Sequence, residues 1–270
     1  MKNIRNIKRI VVTIIAIIIG CIVFKTFTSS TKSITKQEKP VQQVAEQNKI
    51  QNNKSVPQKF NGQTRKIVYL TFDDGPGKYT AKLLDILKKN QVKASFFLIG
   101  GNVTKFPDLV KQEKAEGDYI GLHSMTHDYK KLYTNGQYVK EMKEVQSLVK
   151  NVIGDSPTLT RPPYGSMPGL NEELRNKVVE EGFKVWDWTI DSLDWKYNKL
   201  PIETASNKII QNVLSNAKHS KEIILLHDIH PQSIAAVPAI IEGLKAKGYE
   251  FEVYSEANHF PLNFWHDKRI

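Results

Sequence analysis

From Lys66 onward, short β-branched and aromatic runs alternate with longer segments of helical period, and no other feature limits the fold as much. The runs fall at Ile67–Phe72, Ala94–Ile99, Tyr119–Leu122, Thr158–Arg161, Lys184–Trp188, Glu222–Leu226 and Glu250–Tyr254. Between them, Thr80–Asn90, Tyr138–Val152, Asn171–Glu181, Glu203–Ala217 and Ala235–Lys247 read as helices. In the first of these, Leu83, Leu84 and Leu87 make one face and Lys82, Asp85, Lys88 and Lys89 the other. Parallel neighbours need a crossover, and a helix is the crossover that packs back onto the sheet. The alternation therefore predicts an α/β domain with about seven parallel strands, either a nearly closed barrel or an open doubly wound sheet. No G-x-G-x-x-G follows the first strand, which argues against a dinucleotide site.

The net charge of +11 suggests a nucleic-acid partner until it is divided along the chain. Residues 1–65 carry 12 Lys/Arg against two acids, and the remaining 205 residues carry 27 against 26. The basicity belongs to the N-terminus, so no nucleic-acid-binding domain is expected. A basic tail over residues 1–9 precedes an uncharged run from Ile10 to Phe24. With Arg9 and Lys25 snorkelling, Thr26 and Phe27 extend the span to residues 10–27, enough for a signal anchor with the tail inside the cell. Two other readings compete. One is a cleaved secretory peptide, although no A-x-A site follows. The other is lipidation at Cys21, because Ile18-Ile19-Gly20-Cys21 resembles a lipobox. All three export the rest of the chain across the cell membrane, and the signal anchor leaves it tethered there, facing the cell wall. Residues 28–65 hold seven Gln, four Asn, eight Ser/Thr and one aromatic. Such a stretch buries too little apolar surface to offset its ordering entropy, and it reads as a flexible polar linker. The catalytic domain is then 66–270. Cys21 is the only cysteine, which excludes a disulfide scaffold and any zinc site of paired cysteines.

The chemistry-bearing residues cluster just after predicted strands, where parallel α/β folds build their sites. His123-Ser124-Met125-Thr126-His127 sets two imidazoles four residues apart, and on a helical turn both face one metal. Taken alone, the pair is as well read as two ordinary surface or capping histidines. Thr71-Phe72-Asp73-Asp74-Gly75-Pro76 supplies two adjacent carboxylates pointing different ways. One can complete a 2-His-1-carboxylate set while its neighbour stays free as a base. The bland alternative is a polar turn with Asp capping a helix. Arg161-Pro162-Pro163-Tyr164-Gly165 is a rigid turn whose Arg can fork onto the free Asp and whose backbone N–H can face an oxyanion. Otherwise it is a proline-rich connection with a surface Arg. Asp191-Ser192-Leu193-Asp194-Trp195 and Leu225-Leu226-His227-Asp228 read as a pair, a carboxylate raising the pKa of a histidine acid. Trp186, Trp188 and Trp195 read as core and sugar-facing wall together. His219, His230, His259 and His266 read as surface or packing residues.

These five segments, in this order over residues 66–255, resemble the polysaccharide deacetylase family, the NodB-homology group of carbohydrate esterases 4. No motif position departs from the family pattern. The resemblance implies a distorted (β/α) barrel and a divalent metal, zinc with cobalt accepted, on Asp74, His123 and His127. It implies Asp73 as base, Arg161 as its orienting partner, and the Tyr164 N–H in the oxyanion hole. His227 becomes the acid tuned by Asp194, with Trp195 and Leu225 shaping an acetyl pocket. An exported domain tethered to a membrane has cell-wall glycan within reach. The expected activity is therefore removal of N-acetyl groups from N-acetylglucosamine of peptidoglycan, by a monomer, conferring lysozyme resistance. Chitin-like oligomers are expected substrates in vitro. Alternatives are deacetylation of poly-N-acetylglucosamine or xylan, a non-haem iron oxygenase, and a non-catalytic wall-binding module; five intact motifs argue against the last.

Overall fold

The computed structural model describes residues 59–60 and 62–270. The basic tail 1–9, the segment 10–27 with its Cys21, and nearly all of the linker 28–65 lie outside the described residues. At the linker's end, β1 (Lys59–Phe60) and β2 (Gln63–Thr64) pair as a small antiparallel ribbon.

The main sheet comprises β3 (Lys66–Asp73), β4 (Ser95–Leu98), β5 (Tyr119–Leu122), β6 (Leu159–Thr160), β7 (Lys184–Val185), β8 (Ile190–Asp191), β9 (Lys221–His227) and β10 (Tyr249–Phe251). All pair in parallel, in the order β7-β6-β5-β4-β3-β9-β8. The edge strands β7 and β8 are consecutive in the chain, with only residues 186–189 between them. That stretch spans at most about 18 Å extended, whereas seven flat strands would separate their outer members by about 29 Å. The sheet must therefore curl, and of the two predicted arrangements the distorted half-barrel is the one that forms. The distortion has a visible cause on β3. One side pairs with β9 at residues 67–73, while the other is shared by β10 at residues 66–68 and β4 at residues 71–73. β10 acts as a wedge at the base.

Side chains alternate faces along each strand. Val68, Leu70 and Phe72 face outward into the large core beneath the helices. Those helices are α1 (Thr80–Asn90), α2 (Gly100–Lys105), α3 (Pro107–Ala115), α4 (Tyr138–Ile153), α5 (Glu172–Glu180), α6 (Ile202–Asn216) and α7 (Pro231–Ala246). Ile67 and Tyr69 face inward, into a smaller cluster with Phe97, Leu159, Trp186, Ile223 and Tyr254 that plugs the base of the barrel. Being covered on both faces, β3 reads as one continuous apolar run.

The seven predicted strands all form, and β8 adds an eighth that two residues were too few to announce. Helices α2 and α3 were also unforeseen. Pro107 sits in the first turn of α3, where its missing N–H is harmless.

Glu113 on α3 is fully buried, and both its carboxylate oxygens lack a hydrogen-bond partner among the described residues. Burial first, then the nearby Asp228 and Asp118, push its pKa well above the ordinary value. A raised carboxyl pKa disfavours folding increasingly as pH rises above the unfolded value of about 4.3. Glu113→Gln should therefore raise the melting temperature, more at pH 8 than at pH 5, as followed by thermal melts at both.

Candidate active site

The inward faces that carry the basal plug carry polar groups at the strands' C-terminal ends. On β3 the series Ile67, Tyr69, Thr71, Asp73 continues on one face, and β9 runs Ile223, Leu225, His227 beside it. The register sets Asp73 directly opposite His227. One step across, His123 follows β5 and Arg161 follows β6, with Arg161 N bonded to Leu122 O and His123 N to Leu98 O.

Arg161 is fully buried in the barrel interior. Its Nη1 donates to Asp73 Oδ1 at 2.8 Å and to Thr71 Oγ1 at 2.6 Å. Nε donates to Trp186 O at 3.1 Å and Nη2 to Asp187 O at 3.0 Å. The guanidinium lies 4.0 Å above the Phe97 ring, and a Cβ at Gly121 would press on that ring at 2.7 Å, so glycine makes room for the stack. The bland reading of a surface Arg is excluded. Burial raises the Asp73 pKa despite the opposing charge of Arg161, which leaves a positioned carboxylate with base character.

Asp74, His123 and His127 each offer one ligand atom, all within 4.8 Å of one another. Asp74 Oδ1 stands 3.5 Å from His123 Nε2 and 3.7 Å from His127 Nε2. A tetrahedral metal with bonds of about 2.1 Å spaces its ligand atoms roughly 3.4 Å apart. Asp74 Oδ1 is moreover buried without any hydrogen-bond partner among the described residues, so the donor set fits a cation. His123 Nδ1 meets Arg161 O at 2.7 Å, which assigns the proton to Nδ1 and turns the Nε2 lone pair toward Asp74. Burial lowers the His123 pKa to about 3, keeping the ring neutral as a ligand must be.

The two histidines do not converge through a helical turn, as the four-residue spacing predicted. His123–His127 is a loop with Ser124 and His127 in the left-handed region, at φ 68° and 53°. Ser124 Oγ accepts from His127 N at 2.9 Å, and buried Glu141 of α4 accepts from Met125 N and Thr126 N at 3.0 Å each. Glu141 carried no sequence signal beyond a charge on an otherwise apolar helix face.

The turn after Arg161 is pinned from several sides. Tyr133 OH donates to Pro163 O at 2.7 Å, Gly165 N to Pro162 O at 2.9 Å, and Tyr164 OH to His127 O at 2.8 Å. Tyr164 itself is left-handed at φ 67°, and its N–H has no partner among the described residues. Opposite, Asp194 Oδ1 meets His227 Nδ1 at 2.8 Å and Asp194 Oδ2 accepts from His227 N at 2.7 Å, with Ser233 Oγ as a further donor. Burial alone would lower the His227 pKa, but Asp194, with Asp73 and Asp74 behind it, raises it to about 10. Burial would likewise raise the Asp194 carboxyl, yet His227 and Ser233 hold it below its ordinary value. Asp228, read beside His227 as part of this pair, points elsewhere: it is buried against Gly75 and accepts from Thr80 Oγ1. Leu225, half-exposed Trp195 and Trp188 line a cleft of about 440 Å³ with these groups, whereas Trp186 belongs wholly to the basal plug.

Removing the Arg161 cation would leave Asp73 and two backbone carbonyls buried without a donor. Arg161→Met should lower the unfolding free energy by about 3–5 kcal/mol, read from urea midpoints.

Comparison with known proteins agrees with this geometry. The family model described as polysaccharide deacetylase matches residues 61–186. A peptidoglycan-N-acetylglucosamine deacetylase of Bacillus cereus is 64% identical over 273 residues, covering all of both chains. The crystal structure of the polysaccharide deacetylase Bc1974 from Bacillus cereus superposes with a TM-score of 0.76 at 71% identity, over 76% of this chain and all of that one. The peptidoglycan deacetylase PdaC from Bacillus subtilis gives 0.62 at 32% identity, over 72% of this chain and 90% of its own. With its five motifs gathered around one buried arginine and a sheet of the same form, the chain belongs to the polysaccharide deacetylase family.

Proposed function

We propose that the protein is a metal-dependent hydrolase that removes N-acetyl groups from N-acetylglucosamine residues of cell-wall peptidoglycan, releasing acetate. The observation that carries this reading is the placement of Asp73 and His227 as register partners on one cleft, beside the Asp74, His123 and His127 donors. The full-length similarity to the Bacillus cereus peptidoglycan-N-acetylglucosamine deacetylase supports the substrate.

Asp74, His123 and His127 would hold the cation, zinc in our reading, with cobalt able to replace it. Bound there, a divalent metal supplies Lewis acidity, lowering the pKa of water and polarising the acetamide carbonyl. Asp73, held by Arg161, takes the proton of the attacking water. The Tyr164 N–H donates to the developing oxyanion. His227, kept protonated by Asp194, gives its proton to the departing amine, and Leu225 with Trp195 packs the acetyl methyl. The C–N bond breaks, the carbonyl carbon leaves as acetate, and a glucosamine remains. A base and a separate acid are what amide hydrolysis needs and what an oxygenase would leave idle.

We read the protein as a monomer; the N-terminal sequence supports an anchor at residues 10–27, or lipidation at Cys21, with the linker 28–65 carrying the domain 66–270 toward the wall. Deacetylated glycan becomes cationic at each glucosamine, and we expect it to resist lysozyme.

The test is acetate release by the full chain, stripped of metal and reloaded with zinc or cobalt, on N-acetylglucosamine oligomers and purified peptidoglycan. Metal-dependent release from peptidoglycan is expected; release from neither substrate overturns the reading. Asp73→Asn should retain the metal but lose turnover by about 10²- to 10⁴-fold, while His127→Ala loses both metal and turnover. For His227 the acid form is needed, so activity falls as pH rises through its raised pKa. Asp194→Asn removes the charge that raises it, and the alkaline limb of the kcat profile should move down by at least about one pH unit. An unmoved limb would remove His227 from the acid role.

A further inference from the structure

Asp187 lies in the short stretch that joins the two edges of the sheet, outside all five motifs, and is fully buried. Its carboxylate accepts three hydrogen bonds: Oδ1 from Ser166 N at 2.8 Å, and Oδ2 from Ser166 Oγ at 2.6 Å and Phe264 N at 2.6 Å. Its backbone is engaged too, with the carbonyl accepting from Arg161 Nη2 at 3.0 Å and the N–H donating to Leu262 O at 2.8 Å. One residue thus touches the buried arginine, the turn behind Tyr164 and the C-terminal segment.

That segment adds holds of its own. Trp265 Nε1 donates to Ser166 O at 2.9 Å. The Phe264 ring packs edge-on against Trp188 at 5.2 Å, and it closes on Gly165 so tightly that a Cβ there would come within 2.9 Å of the ring. Ser166 therefore has its N–H, its hydroxyl and its carbonyl all occupied, immediately after the left-handed pair Tyr164 and Gly165 at φ 67° and 84°. Upstream, Tyr133 fixes Pro163 O. The peptide that carries the Tyr164 N–H is clamped from both ends.

A buried carboxylate is a costly way to brace a turn if packing is all that is required, since apolar contacts of equal volume stabilise as well. It does supply direction, and a hydrogen-bond donor stabilises a transition state only when already aimed at the developing charge. We infer that Asp187 is a positioning residue for deacetylation: with the C-terminal segment Asn263–Trp265, it holds the turn that aims the Tyr164 N–H at the oxyanion. This rests on the functional reading above and on Tyr164 N–H as the oxyanion donor.

The test uses the full chain loaded with zinc, with Asp187→Asn, Ser166→Ala and Trp265→Phe beside the wild type. Asp187→Asn turns one acceptor oxygen into an NH₂ that meets a donor, and Trp265→Phe removes only the indole donor. The readouts are kcat and KM on N-acetylglucosamine oligomers, zinc affinity by chelator competition, and affinity for a methylphosphonamidate of glucosamine, which carries the tetrahedral oxyanion. In Asp187→Asn, kcat should fall about 10- to 100-fold, with KM and zinc affinity within about twofold. Affinity for the phosphonamidate should weaken by the same factor as kcat. Ser166→Ala and Trp265→Phe should move kcat and phosphonamidate affinity together in the same direction by less, and they carry the test if Asp187→Asn does not fold. A fall in kcat with undiminished phosphonamidate affinity overturns the inference, as does a wild-type kcat in the variants that fold. A wild type that releases no acetate would sink the functional reading and this inference with it; an active wild type with undisturbed variants sinks the inference alone.

Discussion

The guanidinium of Arg161, sealed inside the half-barrel, is the contact on which the rest of the site depends. It ties the end of β6 to Thr71 and Asp73 on β3 and to the carbonyls of Trp186 and Asp187 beyond β7. Its own carbonyl fixes the tautomer of His123. The carboxylate read as the base and the first imidazole of the metal set are thus oriented by one residue, from its two ends. Below it lies the aromatic and aliphatic plug and above it the cleft that holds the site's carboxylates and imidazoles, so the guanidinium marks the level at which the interior changes character. A cation without good partners could not sit there, and each of its neighbours is an acceptor or an aromatic face.

Around that centre the backbone is bent in ways that L-residues avoid. Asp74, Ser124, His127, Tyr164 and Leu193 all have positive φ, and all lie in the site's motifs; among the described non-glycine residues only Gln91 and His266 share that conformation elsewhere. Each such residue costs on the order of 1–3 kcal/mol and persists only where its surroundings over-determine it. Buried carboxylates stand behind three of these segments. Glu141 gathers the amides of the histidine loop, Asp187 clamps the turn after Tyr164, and Asp194 accepts from the backbone and ring of His227 while its own N–H meets Ser192 Oγ. Each uses charge-assisted hydrogen bonds to backbone donors that no strand or helix engages. The site is rigid because its loops are anchored from inside the domain, and α4, α7 and the C-terminal segment all contribute to a cleft they do not line.

Glu113 and Asp228 show what happens to buried carboxylates without that duty. Glu113 has no donor among the described residues, and Asp228 has Thr80 Oγ1 for one oxygen while the other is left without a partner. Both have raised pKa values, with burial the leading cause, that of Asp228 to about 7, and burial raises the anchoring Asp187 as well. The sequence places an acid at each of these positions with nothing to tell them from Asp187 or Glu141. Only the donors that the fold delivers separate an anchoring carboxylate from a stranded one.

The sequence by itself determined the strand and helix alternation, the position of the site at the strand ends, and the five segments that furnish it, because these depend on local periodicity and on residue type. It also held the inward series Ile67, Tyr69, Thr71, Asp73, since a period of two is a property of the strand alone. Three things were decided only by tertiary structure. The choice of a curled sheet over an open one came from a connection of four residues between the two edge strands. The convergence of His123 and His127 came from a strained loop held by Glu141, not from helical spacing. The parts played by Asp187, Ser166 and the segment Asn263–Trp265 arose from contacts across 21 to 99 residues of chain. Local pattern cannot register such contacts, because their energy exists only once distant strands have closed around a common interior.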